Sequence, residues 1–214
     1  MKRIRLRGTF LLAGMAALGI GLAEARAADF SDPEWPCIQR KVLHLAPALM
    51  WTGPAIDDSL PDWRADAQID RLAPVLAARR TDMEEAERMI ADFAAAAGEA
   101  EARNPRLTLL FAAVFELIDR ERTEVIGGIA RYARKQHGLE ERLDAIRDEI
   151  AALEAKEARS FDEEDRLEEL QDRLLWDTRI FRERQQSLTY VCETPVILEK
   201  RAFALAQAIA GHLD

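Results

Sequence analysis

Stepping by three and four residues from Phe111 meets Phe115, Ile118, Arg122, Val125, Ile129, Tyr132, Gln136, Leu139, Leu143, Ile146, Ile150 and Leu153. Eleven of these thirteen positions are apolar or aromatic. That is the pattern of one long helix buried along a single seam. A second run of the same kind comes after it, through Leu167, Leu170, Leu174, Asp177, Phe181, Arg184, Leu188 and Val191. Only residues 156–161 or so lie between the two runs, so they are expected to fold back as an antiparallel, coiled-coil-like hairpin over about 106–193. With its turn near residue 160, the hairpin would extend about 50 Å at about 1.5 Å per residue. This is an all-α reading: the chain shows no convincing strand alternation anywhere after residue 27.

The register is set by the turn. Leu153 faces Leu167, Ile150 faces Leu170, Ile146 faces Leu174 and Leu139 faces Phe181. Gln136 then faces Arg184, which puts the two polar interruptions in one layer. A shared polar layer fixes register at some cost in stability; a solvated end of the seam is the other reading. Asp177 falls opposite Leu143, where Leu175 or Ile180 is expected to take the inward place. Gly127-Gly128 lies within the first run without breaking its phase, which favours close helix approach or a mild bend over a helix boundary.

Helix punctuation organises the rest. A first helix is expected from about Asp62 to Arg80, kinked at Pro74 where a backbone donor is missing. Thr81-Asp82-Met83-Glu84 reads as a capping box opening a second helix that weakens near Gly98. Asn104-Pro105 and Thr194-Pro195 both place a cap before a first-turn proline, and so are expected to open the third and the last helix. Ser160-Phe161-Asp162-Glu163 is a further capping box. The segment 28–61 is different: Pro33, Pro36, Pro47, Pro54 and Pro61 disfavour long helices and predict an extended arm carrying Trp35 and Trp51. The domain division is thus a leader (1–27), a proline- and tryptophan-rich arm (28–61) and a helical domain (62–214).

The leader has its own chemistry. Lys2, Arg3, Arg5 and Arg7 precede an apolar run, Thr9–Leu22, and Ala25-Arg26-Ala27 has the small-x-small form of a signal-peptidase site. The run is short for a bilayer span, which needs about 20 residues. A cleaved export signal for the general secretion route is expected, with an uncleaved anchor as the alternative, and the product would be a soluble periplasmic protein without a stable membrane span. Residues 1–27 carry a charge of +4 against −9 for the whole chain, leaving −13 for the remainder. Such a surface repels nucleic-acid phosphates and anionic lipid, which sets nucleic acid aside as a partner. In an oxidising compartment the two cysteines, Cys37 and Cys192, read as a disulfide, against two separate thiols.

The search for chemistry nominates no catalytic residue, metal or cofactor. His44, His137 and His212 lie in different elements, and none has the spacing of a helical metal site. Serines 31, 59, 160 and 187 sit outside any Gly-x-Ser-x-Gly, and there is no phosphate-binding glycine loop. Trp35, Trp51 and Trp63 with Arg40 and Lys41 form a candidate partner-binding surface. The preferred reading of the same tryptophans is an arm lying across the helices and covering their core.

Trp35-Pro36-Cys37-x-Gln39-Arg40-Lys41-Val42 with Trp51-x-Gly53-Pro54, together with Tyr190-Val191-Cys192-Glu193-x-Pro195, resembles a group of uncharacterised exported helical proteins of Gram-negative bacteria. The resemblance covers the two ends of the chain and implies no activity. The function expected is a non-catalytic accessory protein whose hairpin contacts another envelope protein, or a second copy of itself. The alternative is a small-ligand binder or enzyme with a pocket between arm and bundle.

Overall fold

A computed structural model describes residues 35–214. The leader (1–27) and the first part of the expected arm (28–34) lie outside the described residues. Four α-helices make up most of the described span: α1 (Ala67–Ala77), α2 (Met83–Ala96), α3 (Ala100–Glu154) and α4 (Phe161–Ala210). Two single-turn 3-10 helices, Pro47–Leu49 and Trp63–Ala65, precede them. Among the described residues there is no strand, and the protein is all-α.

The helix starts show why the cap residues matter. Asp66 opens α1 by accepting from the backbone N–H groups of Gln68 (2.9 Å) and Ile69 (3.2 Å). Asp82, not Thr81, caps α2, accepting from Glu85 N–H at 2.7 Å. Thr81 instead turns inward and donates to the Val75 carbonyl at 2.8 Å. At Ser160 both halves of the capping box form, with Ser160 and Glu163 each serving the other's backbone N–H. Gly98 ends the α2 segment with φ +83°, a left-handed conformation that costs glycine little.

Three expected boundaries are absent. The first helix is shorter than 62–80: a 3-10 turn and Asp66 precede it, and it ends at Ala77. Helix α3 begins at Ala100, so Pro105 sits inside it rather than at its start. The Ala-Glu-Ala-Arg stretch before Asn104 consists largely of good helix formers, and the missing proline donor falls within the second turn. Likewise α4 runs through Pro195, merging the expected last helix with the one before it. Leu188 and Cys192 before the proline and Leu198, Ala202 and Leu205 after it are all buried, so continuous packing holds the helix together across one lost hydrogen bond.

Among the described residues, three groups of apolar side chains pack into clusters. The largest joins α1 and α2 to α3 as far as Ile118 and to α4 over Leu198–Ile209, with Met50, Trp51 and Trp63 packed in. Phe93, Phe111, Leu107, Leu110 and Leu198 are its fully buried bulk. The second comprises Cys37, Cys192, Ile129 and Leu188, flanked by Trp35, Val125 and Tyr132. The third comprises Ile146, Ile150 and Leu170, with Leu153, Leu167 and Leu174 against them, all from α3 and α4.

Polar contacts join α3 and α4 beside these groups. Arg166 binds Glu149 through Nε (2.9 Å) and Nη2 (3.2 Å), and Gln171 reaches Glu154 at 3.4 Å. The expected polar layer is not built as a pair. Gln136 is buried and donates to the Phe181 carbonyl at 3.2 Å, whereas Arg184 is exposed. The Phe181 carbonyl on the facing helix is fixed and near, and the long arginine gains more by keeping its guanidinium in water. Leu175 and Ile180 do not turn inward in place of Asp177; they are 70% and 38% exposed, and Asp177 stays half-buried beside Arg173. Gly127 and Gly128 mark no close helix approach: an added Cβ would meet only the Arg131 guanidinium, at 3.2 and 3.8 Å.

Candidate functional site

Residues 35–66 are held against the helices by a disulfide and a hydrogen bond to α4 and by side chains spaced along α3. Cys37 is disulfide-bonded to Cys192, the pairing read from the sequence. Next, Arg122, which is 4% exposed, donates through Nη1 to the carbonyls of Val42 and Leu43. Thr123 Oγ1 donates to the Leu43 carbonyl at 2.9 Å. Asp119 accepts from Leu45 N–H at 2.7 Å, and its other oxygen lies 2.8 Å from His44 Nδ1. These three α3 side chains do what a neighbouring strand would do for an irregular segment, pairing its backbone groups and fixing its course. From α4, Gln207 donates to the Met50 carbonyl at 3.2 Å.

The tryptophans obey the same logic. Trp51 stacks on Phe111 with centroids 4.4 Å apart, and its indole N–H donates to the Pro54 carbonyl at 2.7 Å. The fold over that ring explains Gly53: a Cβ there would stand 2.4 Å from Trp51 Cζ2 and 2.6 Å from Leu213 Cδ1. Trp63 donates to Glu116 at 2.8 Å, and Arg64 lies over its ring while binding the other Glu116 oxygen at 2.7 Å. Burial works to raise the Glu116 carboxyl, but the bonds from Arg64 and Trp63 outweigh it and hold it below its ordinary value. Trp51 and Trp63 are thus core residues, 8% and 7% exposed, and Trp35 is half-buried beside the disulfide. Of the candidate partner-binding set, Arg40 and Lys41 stand on the surface.

Two surface features stand out among the described residues for what they could bind. The first is an open groove of about 820 Å³ between residues 44–64 and α3, floored by Ile56, Leu60, Leu109 and Phe115 and rimmed by Asp57, Asp58, Asp62 and Glu124. The polar groups on its α3 wall, Glu116 and Asp119, already hold Trp63, Arg64, His44 and Leu45. The second is an apolar patch on α4, where Leu175 (70% exposed), Trp176 (63%) and Ile180 (38%) meet solvent. The seam pattern points Leu175 or Ile180 inward and gives Trp176 no role. A signal for the patch is nevertheless present, since Trp176 is out of phase with the three-four seam through Leu174, Asp177 and Phe181.

Asp119, Arg122, Thr123 and Glu116, which hold the preceding segment, carry no such signal as a set. Their partners are 50–80 residues away, and only Arg122 breaks an apolar pattern. Among the described residues no group of three or more His, Cys, Asp or Glu is arranged to hold a metal ion. Nor is any helix there long and apolar enough to cross a membrane. The class these observations define is an all-α protein with two helices of 55 and 50 residues and a disulfide tying a non-helical segment to the helical body. No protein-family model matches the chain, and no curated protein and no solved structure is significantly similar to it.

Proposed function

We propose that the chain is an exported, periplasmic, non-catalytic interaction protein in which α3 and α4 form an antiparallel hairpin that contacts another protein. The Arg166–Glu149 and Gln136–Phe181 contacts support the hairpin, since the higher-numbered α4 residue of the two meets the lower-numbered α3 residue. The disulfide is compatible with an oxidising compartment. The observation that carries the reading is the α4 patch. Leu175 and Trp176 are adjacent in sequence and 70% and 63% exposed, and tryptophan is among the residues enriched at binding hot spots. The segment from Trp35 to Asp66 serves in this reading as an arm that braces the base of the hairpin. A photocross-linking residue in place of Trp176 or Ile180, in cells exporting the protein, should capture a polypeptide. Capture of none from either position would overturn the reading.

The groove favours a second reading, a small-ligand binder or an enzyme. Its apolar floor and carboxylate rim would suit an amphipathic cation. Native mass spectrometry of the protein purified from the periplasm separates the two: a stoichiometric small molecule lost on Phe115→Glu would favour this second reading.

A further inference from the structure

Glu168, Asp172, Leu175, Arg179 and Arg182 succeed one another along α4 at spacings of four, three, four and three, and all five are exposed. Such spacing puts them on one stripe of the helix surface. The stripe is self-complementary. Two acids precede Leu175 and two arginines come after it at closely matched distances, so a second α4 running the opposite way would set Asp172 against Arg179 and Glu168 against Arg182. Leu175 would meet Leu175, with Trp176 beside it closing the centre.

The wider charge distribution has the same polarity. Residues 140–177 hold fifteen acidic and six basic side chains, a net −9, and span the tip of the helical pair. Just beyond them, Arg131, Arg134 and Lys135 on α3 and Arg179, Arg182 and Arg184 on α4, counted with the acid Glu183, give a net +5. A two-fold axis near Leu175 lays the acidic end of each copy over the basic belt of the other. Parallel alignment would set acid on acid and base on base. In its own chain Arg179 also binds Glu183 at 2.9 Å, an exposed pair that binding could share.

We infer that the partner of the α4 face is a second copy of this chain, bound antiparallel about Leu175 in an isologous dimer. This rests on the interaction-protein reading above and names the partner for it. The apolar centre supplies the affinity and the charged flanks set direction and register, because exposed ion pairs contribute little individually but like-charge contact is penalised.

Sedimentation velocity on the purified chain at low ionic strength should give twice the mass of one chain. Trp176→Glu should weaken the association by about tenfold or more without changing the helical circular dichroism, since the side chain is exposed. High salt should weaken it as well, as screening shortens the reach of the flanking charges. Arg179→Glu with Arg182→Glu should weaken the dimer, and adding Asp172→Arg with Glu168→Arg should restore it. Under oxidation Leu175→Cys should give a disulfide-linked dimer, while Thr189→Cys should not. A monomer at tens of micromolar overturns the inference. So does a dimer indifferent to Trp176→Glu and to charge reversal. If the chain is monomeric and a cross-linker at position 176 captures only a different polypeptide, the self-association is wrong and the interaction-protein reading stands.

Discussion

Glu116 shows how much of this molecule turns on single polar side chains that no pattern advertises. One carboxylate takes the indole N–H of Trp63 and the guanidinium of Arg64, and so fixes the approach to α1. Asp66 acts similarly: burial pushes its carboxyl upward, but the bonds from Ile69 and Gln68 N–H and the charge of Arg106 prevail and lower it. Both folded values lie below the unfolded ones, so their contribution is present at neutral pH and is lost as protons bind to the folded protein. Stability should hold from pH 7 to about 5, begin to decline near the ordinary carboxylate values of 4.5 and 3.8, and go on declining as pH falls through the lower folded values. Thermal unfolding against pH checks this, and Glu116→Gln should lower stability at pH 7 and flatten the acid decline. Arg201 is a second case. Buried in α4, it donates through Nε (2.9 Å) and Nη2 (2.6 Å) to the carbonyl of Leu76 in the last turn of α1, where carbonyls lack helical partners. Burial alone lowers its pKa. Arg201→Met should cost about 1–3 kcal/mol in urea unfolding, because the acceptor is left buried and unpaired.

At the scale of elements, local chemistry and tertiary packing divide the work. The Ser160 capping box is legible because every participant lies within four residues, and Ser160→Ala should destabilise the start of α4 by about 1 kcal/mol. The same segment holds the Glu163 carboxyl down to about 2, through Lys156 first and the Ser160 backbone second. Gly128 contributes no close contact that an alanine would disturb, so Gly128→Ala should stabilise α3 by up to about 1 kcal/mol, read as a shift in the urea midpoint. A loss of stability instead would mean that the helix needs flexibility at that point. The prolines are the misleading signals. Asn104-Pro105 and Thr194-Pro195 each look like a helix start, yet both helices run through them. A proline removes one hydrogen bond wherever it sits; whether the helix stops there depends on what is buried on either side.

For the molecule as a whole, the Cys37–Cys192 bond closes a loop with a sequence separation of 155. In the chain-entropy model such a crosslink stabilises the fold by about 5 kcal/mol. Cys37→Ser, or reduction, should lower the melting temperature of the intact protein and make Cys192 reactive to thiol reagents. Full labelling of both cysteines in the unreduced wild-type protein would contradict the bond. The bond ties residues before the first helix to the middle of α4, and Arg122, Thr123 and Asp119 then continue the attachment along α3. The stapled segment is therefore part of the packed body, which is why Trp51 and Trp63 lie in the core.

The sequence by itself determined the all-α class, the apolar periodicity of the two long helices, the Ser160 cap that opens the second and, granted an oxidising compartment, which two cysteines can pair. Each of these rests on periodicity, on caps within one turn, or on there being a single way to pair two thiols. The tertiary structure alone decided where helices continue through proline, that Trp176 is left exposed, and which α3 side chains grip the segment from Val42 to Leu45. Those outcomes depend on partners tens of residues away, whose burial offsets a lost hydrogen bond or a desolvated charge, and local pattern carries no record of them.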